Sequence, residues 1–446
     1  MKRFLLVVLS VLCMLIAQAQ DVRIDGVYYD LYPNELSAAV VNDGNRMDEN
    51  GSGYVVTELV IPETITHEGV EYVVSAIGDY AFCNTKTLRS IVLSDSITKI
   101  GMRAFANCDS LKFIRIPKNV TMVGSYAFEA SHALQQIYVD EDNSLYSSVD
   151  GCLCNKEGTS LIYAPSGRDS VIVAEGIVDI GRYAFAYCNL RYVELPSSLM
   201  TIGYYAFSYC NMLESIVVPD AVTDIKSNAF RESVNLRSVV VGCGVEELGN
   251  YSFMKCEAMD TITILATEPP MTEDLSLSTD SCLLRVLKKS YSAYTKHKYW
   301  SKFLNISTLN FIELEVNNKE WGVVQGGGYY DSNSDVVVMA KAADGYEFVD
   351  WSDGITDNPR TINLASDMML TANFAIKETL VDIELTNSDI EVYVSGNMLH
   401  VENIDVDFIL YDLFGVKIYE GSDQALELNR GIYVIVFGKK YIKVVI

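Results

Sequence analysis

Residues 77–117 read IGDYAFCNTKTLRSIVLSDSITKIGMRAFANCDSLKFIRIP, and this stretch nearly contains itself twice. IGDYAF at Ile77 returns as IGMRAF at Ile100, VGSYAF at Val123, IGRYAF at Ile180, IGYYAF at Ile202, IKSNAF at Ile225 and LGNYSF at Leu248. The starts lie 23, 23, 57, 22, 23 and 23 residues apart. Each anchor leads to a short strand such as LKFIRIP or LESIVVP. A unit of this size cannot bury its own Phe, Leu and Ile, so successive units must stack and share one interior. The expected fold is therefore mainly β: a solenoid of about seven 22–23-residue units plus a hairpin insertion, followed by two small β-domains. Phe82, Phe105, Phe128, Phe185, Phe207, Phe230 and Phe253 are its expected apolar column.

Side chains alternate along a strand, so Ile114 and Ile116 should point inward while Phe113 and Arg115 point out. Gly101 and its counterparts are expected where the chain turns sharply. Pro117, Pro196 and Pro219 should end their strands, because proline has no N–H for the ladder. Cys108, Cys188, Cys210 and Cys256 all stand three residues after the repeat Phe, where other units have Thr85, Ser131 and Ser233. A position shared by Cys, Ser and Thr asks for a small inward side chain, which makes these cysteines packing residues. The extra length between Val123 and Ile180 contains DEDNSLYSSVDGCLCNKEGTSLIYAP, read as a hairpin projecting from one edge. Its Cys152 and Cys154 share one strand face, and their role stays open.

The recurring I-G-x-x-A-F-x-x-C-x-x-L-x-x-I-x-[IL]-P unit resembles the BspA-like bacterial leucine-rich repeats. The resemblance covers about residues 54–306 and departs from the pattern at Lys226, Leu248 and Ser252. It implies a leucine-rich repeat solenoid on an exported, adhesin-like protein. GYEFVDWSDGITDNPRTI followed by LTANF resembles the divergent internalin-type B-repeat, with Phe348 and Trp351 as its expected core. ILYDLFGVKIY, LNRGIYVIVF and KYIKVVI resemble the sorting domain of type IX secretion cargo, the likeness resting on Gly415, Gly431, Tyr433 and Lys443. That likeness implies contact with a secretion machinery and an outer-membrane or extracellular destination in a Gram-negative bacterium.

The start, MKRFLLVVLSVLCMLIAQAQ, has Lys2 and Arg3, an apolar run too short to span a membrane, and Ala17-Gln18-Ala19 as a cleavage site. The expected organisation is a signal peptide at 1–19, N-terminal cap strands at 20–76 and the solenoid at 77–265. Its C-terminal cap follows at 266–310, a B-repeat-like domain at 311–376 and a sorting-domain-like β-sandwich at 377–446. In the cap, Tyr294, Trp300 and Phe303 should pack inward beneath a basic face. No transmembrane segment is expected.

The net charge of −25 opposes nucleic-acid binding, which depends on cationic neutralisation of phosphates. The four His stand in separate segments, none at metal-ligand spacing, and no nucleophile elbow or phosphate-binding glycine loop occurs. Neither a metal, a cofactor nor an enzymatic activity is expected, a hydrolase being the least favoured class. What remains is the outward strand face. Phe113, Arg115, Tyr138, Tyr192 and Glu194 combine aromatic anchors with charge, the mixture enriched at binding hot spots, and form the expected ligand-binding set. The expected partners are host or matrix proteins or other cells, with glycan capture as the alternative. A second tyrosine series, Tyr80, Tyr126, Tyr183, Tyr205 and Tyr251, reads as stacking across strands that stabilises the sheet.

Overall fold

The computed structural model describes residues 20–42, 54–377, 391–402, 407–412, 416–437 and 440–446. The expected signal peptide and Gly415 lie outside them. Strand makes up 43% of the fold and helix 3%. The chain divides into two compact units, Met1–Thr308 and Leu309–Ile446.

In the first unit every coil contributes one long strand. These are Glu58–Ile61, Ser90–Leu93, Phe113–Ile116, Gln136–Val139, Ser170–Ile172, Tyr192–Glu194, Ser215–Val218, Ser238–Val241, Thr261–Ile264 and Leu283–Leu287. The solenoid thus has about ten turns, more than the seven anchors, because coils without the anchor extend both ends and fill the insertion. Long strands pair in parallel at equal repeat positions in four ladders, the longest aligning Ser215, Ser238, Thr261 and Leu283. On the opposite edge, two-residue strands such as Asp179–Ile180 and Thr201–Ile202 form a second parallel ladder.

Between the ladders the seven repeat phenylalanines are buried. Translation by one coil lays each ring flat on the next. Phe185, Phe207, Phe230 and Phe253 stack with centroids 4.8, 5.4 and 5.4 Å apart and planes within 9°. Phe82, Phe105 and Phe128 form a shorter stack, closed edge-on by Tyr163 at 5.8 Å.

The insertion does not project. Tyr146–Val149 and Cys152–Asn155 pair antiparallel, and Ser160–Tyr163 enters the short-strand ladder beside Asp179–Ile180. Its middle strand is buried on both faces. Leu153 packs into the core of the earlier coils, while Cys152 and Cys154 pack into that of the later ones. An edge position would have left all three in water, so the apolar composition draws the hairpin into the stack.

The glycine expectation also needs correction. Gly101 has no left-handed backbone; a Cβ there would stand 2.5 Å from the Asp79 amide, so glycine permits adjacent coils to touch. Left-handed backbone recurs instead at the position before the repeat Ala or Ser252, at Tyr80, Arg103, Tyr126, Tyr183, Tyr205, Asn228 and Tyr251, with φ between 51° and 64°, and again two residues after the repeat Phe. The second tyrosine series therefore lies in turns rather than on strands. Tyr126, Tyr183 and Tyr205 do touch ring to ring, tilted by 35° and 32° at 4.0 and 5.2 Å, but from coil to coil along the turns.

The first unit ends in the helix Tyr291–Lys296 and flanking 3-10 turns, which seat Tyr294, Trp300 and Phe303 in the core of the later coils. In the second unit, residues 312–374 enclose a core around Trp351, Ile312, Val338 and Phe374, with Phe348 half-buried against it. Beyond residue 390, one three-stranded and one four-stranded sheet share a core of Val392, Leu399, Phe408, Leu410 and Ile435.

Candidate functional face

The long-strand ladder turns one side chain in two to solvent. In Phe113–Ile116 the burial alternates, with Ile114 and Ile116 inside and Phe113 and Arg115 outside. Register then aligns outward residues into rows. One row holds Val60 and Val92 as direct partners, then Arg115 beside Tyr138. After the insertion, Ile172 stands beside Glu194, and Val217 beside Val240. Val60, Val92, Tyr138, Ile172 and Val217 are all exposed, Ile172 at 65%. Phe113 and Tyr192, in the adjacent row, are each about half exposed, at 52% and 53%.

The five expected ligand-binding residues do not form one patch. Phe113, Arg115 and Tyr138 share the sheet of Phe113–Ile116 and Gln136–Val139, whereas Tyr192 and Glu194 pair with Ser170–Ile172. The turn of the inserted hairpin stands between them. There the Ile137 amide donates to the Gly151 carbonyl at 2.8 Å, and the Ser148 hydroxyl donates to the Ile137 carbonyl at 2.6 Å.

The polar members are already engaged. Arg115 donates to Asp140 and lies 3.7 Å from Asp95, which also pairs with Lys118 at 3.2 Å. Tyr138 donates its hydroxyl to Gln136. Tyr192 donates to Glu194 at 3.0 Å, and that carboxylate raises the phenol above its ordinary pKa. What the face offers unspent is apolar surface. Sequence reasoning missed Val60 and Ile172, because their coils lack the Ala-Phe anchor. The run ELVIP at Glu58, a strand followed by proline as in LKFIRIP, was the available signal.

The position three residues after the repeat Phe is buried in all seven units, and it does more than fill space. Except at Thr85, whose buried hydroxyl oxygen has no hydrogen-bond partner among the described residues, its side chain donates to a carbonyl of the preceding coil. Ser131 donates to Phe105 at 2.6 Å, Ser233 to Phe207 at 2.7 Å, Cys210 to Phe185 at 3.1 Å and Cys256 to Phe230 at 3.1 Å. Burial pushes the Cys210 and Cys256 thiols up to about 12. It likewise raises Cys152 to about 12 and Cys154 to about 11, which disfavours the thiolate a metal would need. The nine described cysteines are free, and all but Cys243 are buried. Among the described residues no group of His, Cys, Asp and Glu could hold a metal ion.

Parallel ladders around a buried phenylalanine column, one long strand per coil, define a leucine-rich repeat solenoid. Residues 75–167 and 162–268 match the BspA type Leucine rich repeat region, in six copies, and residues 312–378 match the Divergent InlB B-repeat domain. The solenoid is accordingly a BspA type leucine-rich repeat region, followed by a divergent InlB B-repeat. Proteins with such repeats are cell-surface or secreted and generally bind other proteins.

Among solved structures, the chain is similar to the pneumococcal vaccine antigen PcpA, with 18% identity over 66% of this chain and 98% of that one, at a TM-score of 0.38. It is also similar to a leucine-rich repeat protein of Eubacterium ventriosum, with 17% identity over 67% and 87% of the two chains and a TM-score of 0.41. A leucine-rich repeat protein of Bacteroides ovatus gives 19% identity over 63% and 98%, at 0.28. No curated protein matches. No helix among the described residues is long and apolar enough to cross a membrane.

Proposed function

We propose that this is an exported, adhesin-like binding protein of a Gram-negative cell surface, whose long-strand face recognises host, matrix or other cell proteins. One observation carries the reading. Val60, Val92, Phe113, Tyr138, Ile172, Tyr192 and Val217 leave large apolar side chains exposed on the outward faces of the long strands, on both sides of the inserted hairpin turn. Soluble chains rarely leave contiguous apolar surface without a partner to cover it. The resemblance of residues 377–446 to a sorting domain supports delivery to the outer surface. Glycan capture is the weaker reading, because Tyr126, Tyr183 and Tyr205 pack against one another and so cover part of the ring surface a sugar would need.

Binding of the full chain to wells coated with matrix proteins, compared with a glycan array, tests this. Ile172→Asp and Val217→Asp should each lower binding to a protein-coated well at least about tenfold, with the melting profile unchanged. Phe113→Ala and Tyr138→Ala should do the same if the earlier coils share the contact. Array signal with silent protein wells would reverse the preference. Proteolysis of intact bacteria followed by mass spectrometry tests exposure and removal of the tail.

A further inference from the structure

The basic cap offers a second site, independent of the strand face. Where it meets the last coils there is a cleft of about 630 Å³, a volume typical of small-ligand sites. Opposite charges line it without meeting. Lys298, Lys302 and Glu273 come from the cap, and Glu247 from the last short strand. Among the described residues neither lysine pairs with a carboxylate; Lys302 lies 5.3 Å over the Tyr299 ring. Glu247 reaches only Lys226, at 3.9 Å, and Glu273 accepts from Asn250 at 3.5 Å.

Hydrogen bonds hold the lining segments in place. The Leu248 amide donates to the Met271 carbonyl at 2.9 Å, the Met271 amide to Glu246 at 2.8 Å, and the Trp300 indole to Pro270 at 2.9 Å. His297 adds a directed donor. Its Nδ1 accepts the amides of Tyr299 and Trp300, at 3.2 and 3.4 Å, so the neutral ring carries its proton on Nε2. On the same lining, the Thr272 hydroxyl oxygen is buried with no hydrogen-bond partner. A buried polar atom left unmet is costly, and a ligand group reaching it would relieve that cost.

We propose that this cleft binds a small zwitterion the size of a di- or tripeptide, its carboxylate against Lys298 and Lys302 and its ammonium against Glu247 and Glu273. A purely anionic ligand would have to sit against two carboxylates, and a purely cationic one against two ammonium groups. Only a dipolar ligand is matched by both sets of charges.

Calorimetric titration of the full chain with triglycine, N-acetyl-triglycine and triglycine amide tests the assignment. Triglycine should bind, and blocking either terminus should weaken binding at least about tenfold. The double variant Lys298→Gln/Lys302→Gln should abolish discrimination against the amide while leaving the melting profile unchanged. Glu273→Gln should reduce discrimination against the acetylated form and leave the other preference intact. Three results would overturn the proposal: no heat from triglycine at millimolar concentration, equal affinity for the blocked peptides, or tighter binding of glucuronate than of triglycine.

Discussion

The seven equivalent positions after the repeat Phe distinguish two accounts of a buried cysteine. If the site only excludes water, a small apolar side chain should serve. If it ties adjacent coils, a donor should. Ser131 supports the second account, because its hydroxyl both accepts the Cys108 amide at 3.0 Å and donates to the Phe105 carbonyl. Ser233 repeats this between the Cys210 amide and the Phe207 carbonyl. A thiol donates more weakly than a hydroxyl, but it points at the same carbonyl. Cys210→Ser should therefore cost less than about 1 kcal/mol, and Cys210→Ala about 1 to 2 kcal/mol, measured by urea unfolding. Were alanine the milder change, the position would be spatial only. The spread of Cys, Ser and Thr was legible in the sequence, but the shared carbonyl was not, since its partner lies 25 or 26 residues earlier in the chain. The left-handed tyrosines were hidden for a different reason. Tyrosine is not a turn residue by propensity, and the ring contacts of Tyr126, Tyr183 and Tyr205 arise only once the coils are stacked.

At the scale of elements, the strands the sequence announced are those whose coils carry the anchor. Identical residues at a fixed period reveal a neighbour relation directly, so the phenylalanine column could be read without coordinates. The inserted hairpin has no such repetition. Whether Cys152, Leu153 and Cys154 meet water depends on what lies on each side of their strand, which only the assembled stack decides. The same limit explains the divided binding face: nothing in the order of residues shows that the Gly151 turn bonds to Ile137 and so parts the strand of Tyr138 from that of Ile172.

In the second unit, a local ion pair ties one turn shut. Arg360 donates to both carboxylate oxygens of Asp353, at 2.7 and 2.8 Å, and these hydrogen bonds hold the Asp353 carboxyl below its ordinary range. A lowered folded-state pKa contributes stability that is complete above the unfolded value and is lost as pH falls through the folded one. Because Asp353 is partly exposed, solvent screens the pair. Asp353→Asn should cost about 0.5 to 1 kcal/mol at neutral pH. The gap to the parent should close as the medium is acidified below the ordinary aspartate range; a gap that persisted in acid would assign the effect to packing.

The first unit as a whole behaves physically as a stack in which each coil touches only its neighbours. Its interior nevertheless has two segments, since the stacked rings before the insertion end on Tyr163 and those after it begin at Phe185. Removing one ring from the later segment should therefore have a spatial profile rather than a uniform effect. Phe207 lies between Phe185 and Phe230, buried and flat against both. Phe207→Ala should cost about 3 to 5 kcal/mol, because the cavity it leaves is walled by rings that cannot collapse without leaving their own ladder. Amide hydrogen exchange should report the loss most strongly in Tyr192–Glu194, Ser215–Val218 and Ser238–Val241, with less change at each coil further away. The strands Ser90–Leu93 and Phe113–Ile116, whose interior belongs to the other segment, should keep their protection. Equal loss across both segments would mean that the double-faced strand Cys152–Asn155 couples them into one cooperative block, so that a partner bound on either side of the hairpin would stabilise the whole face.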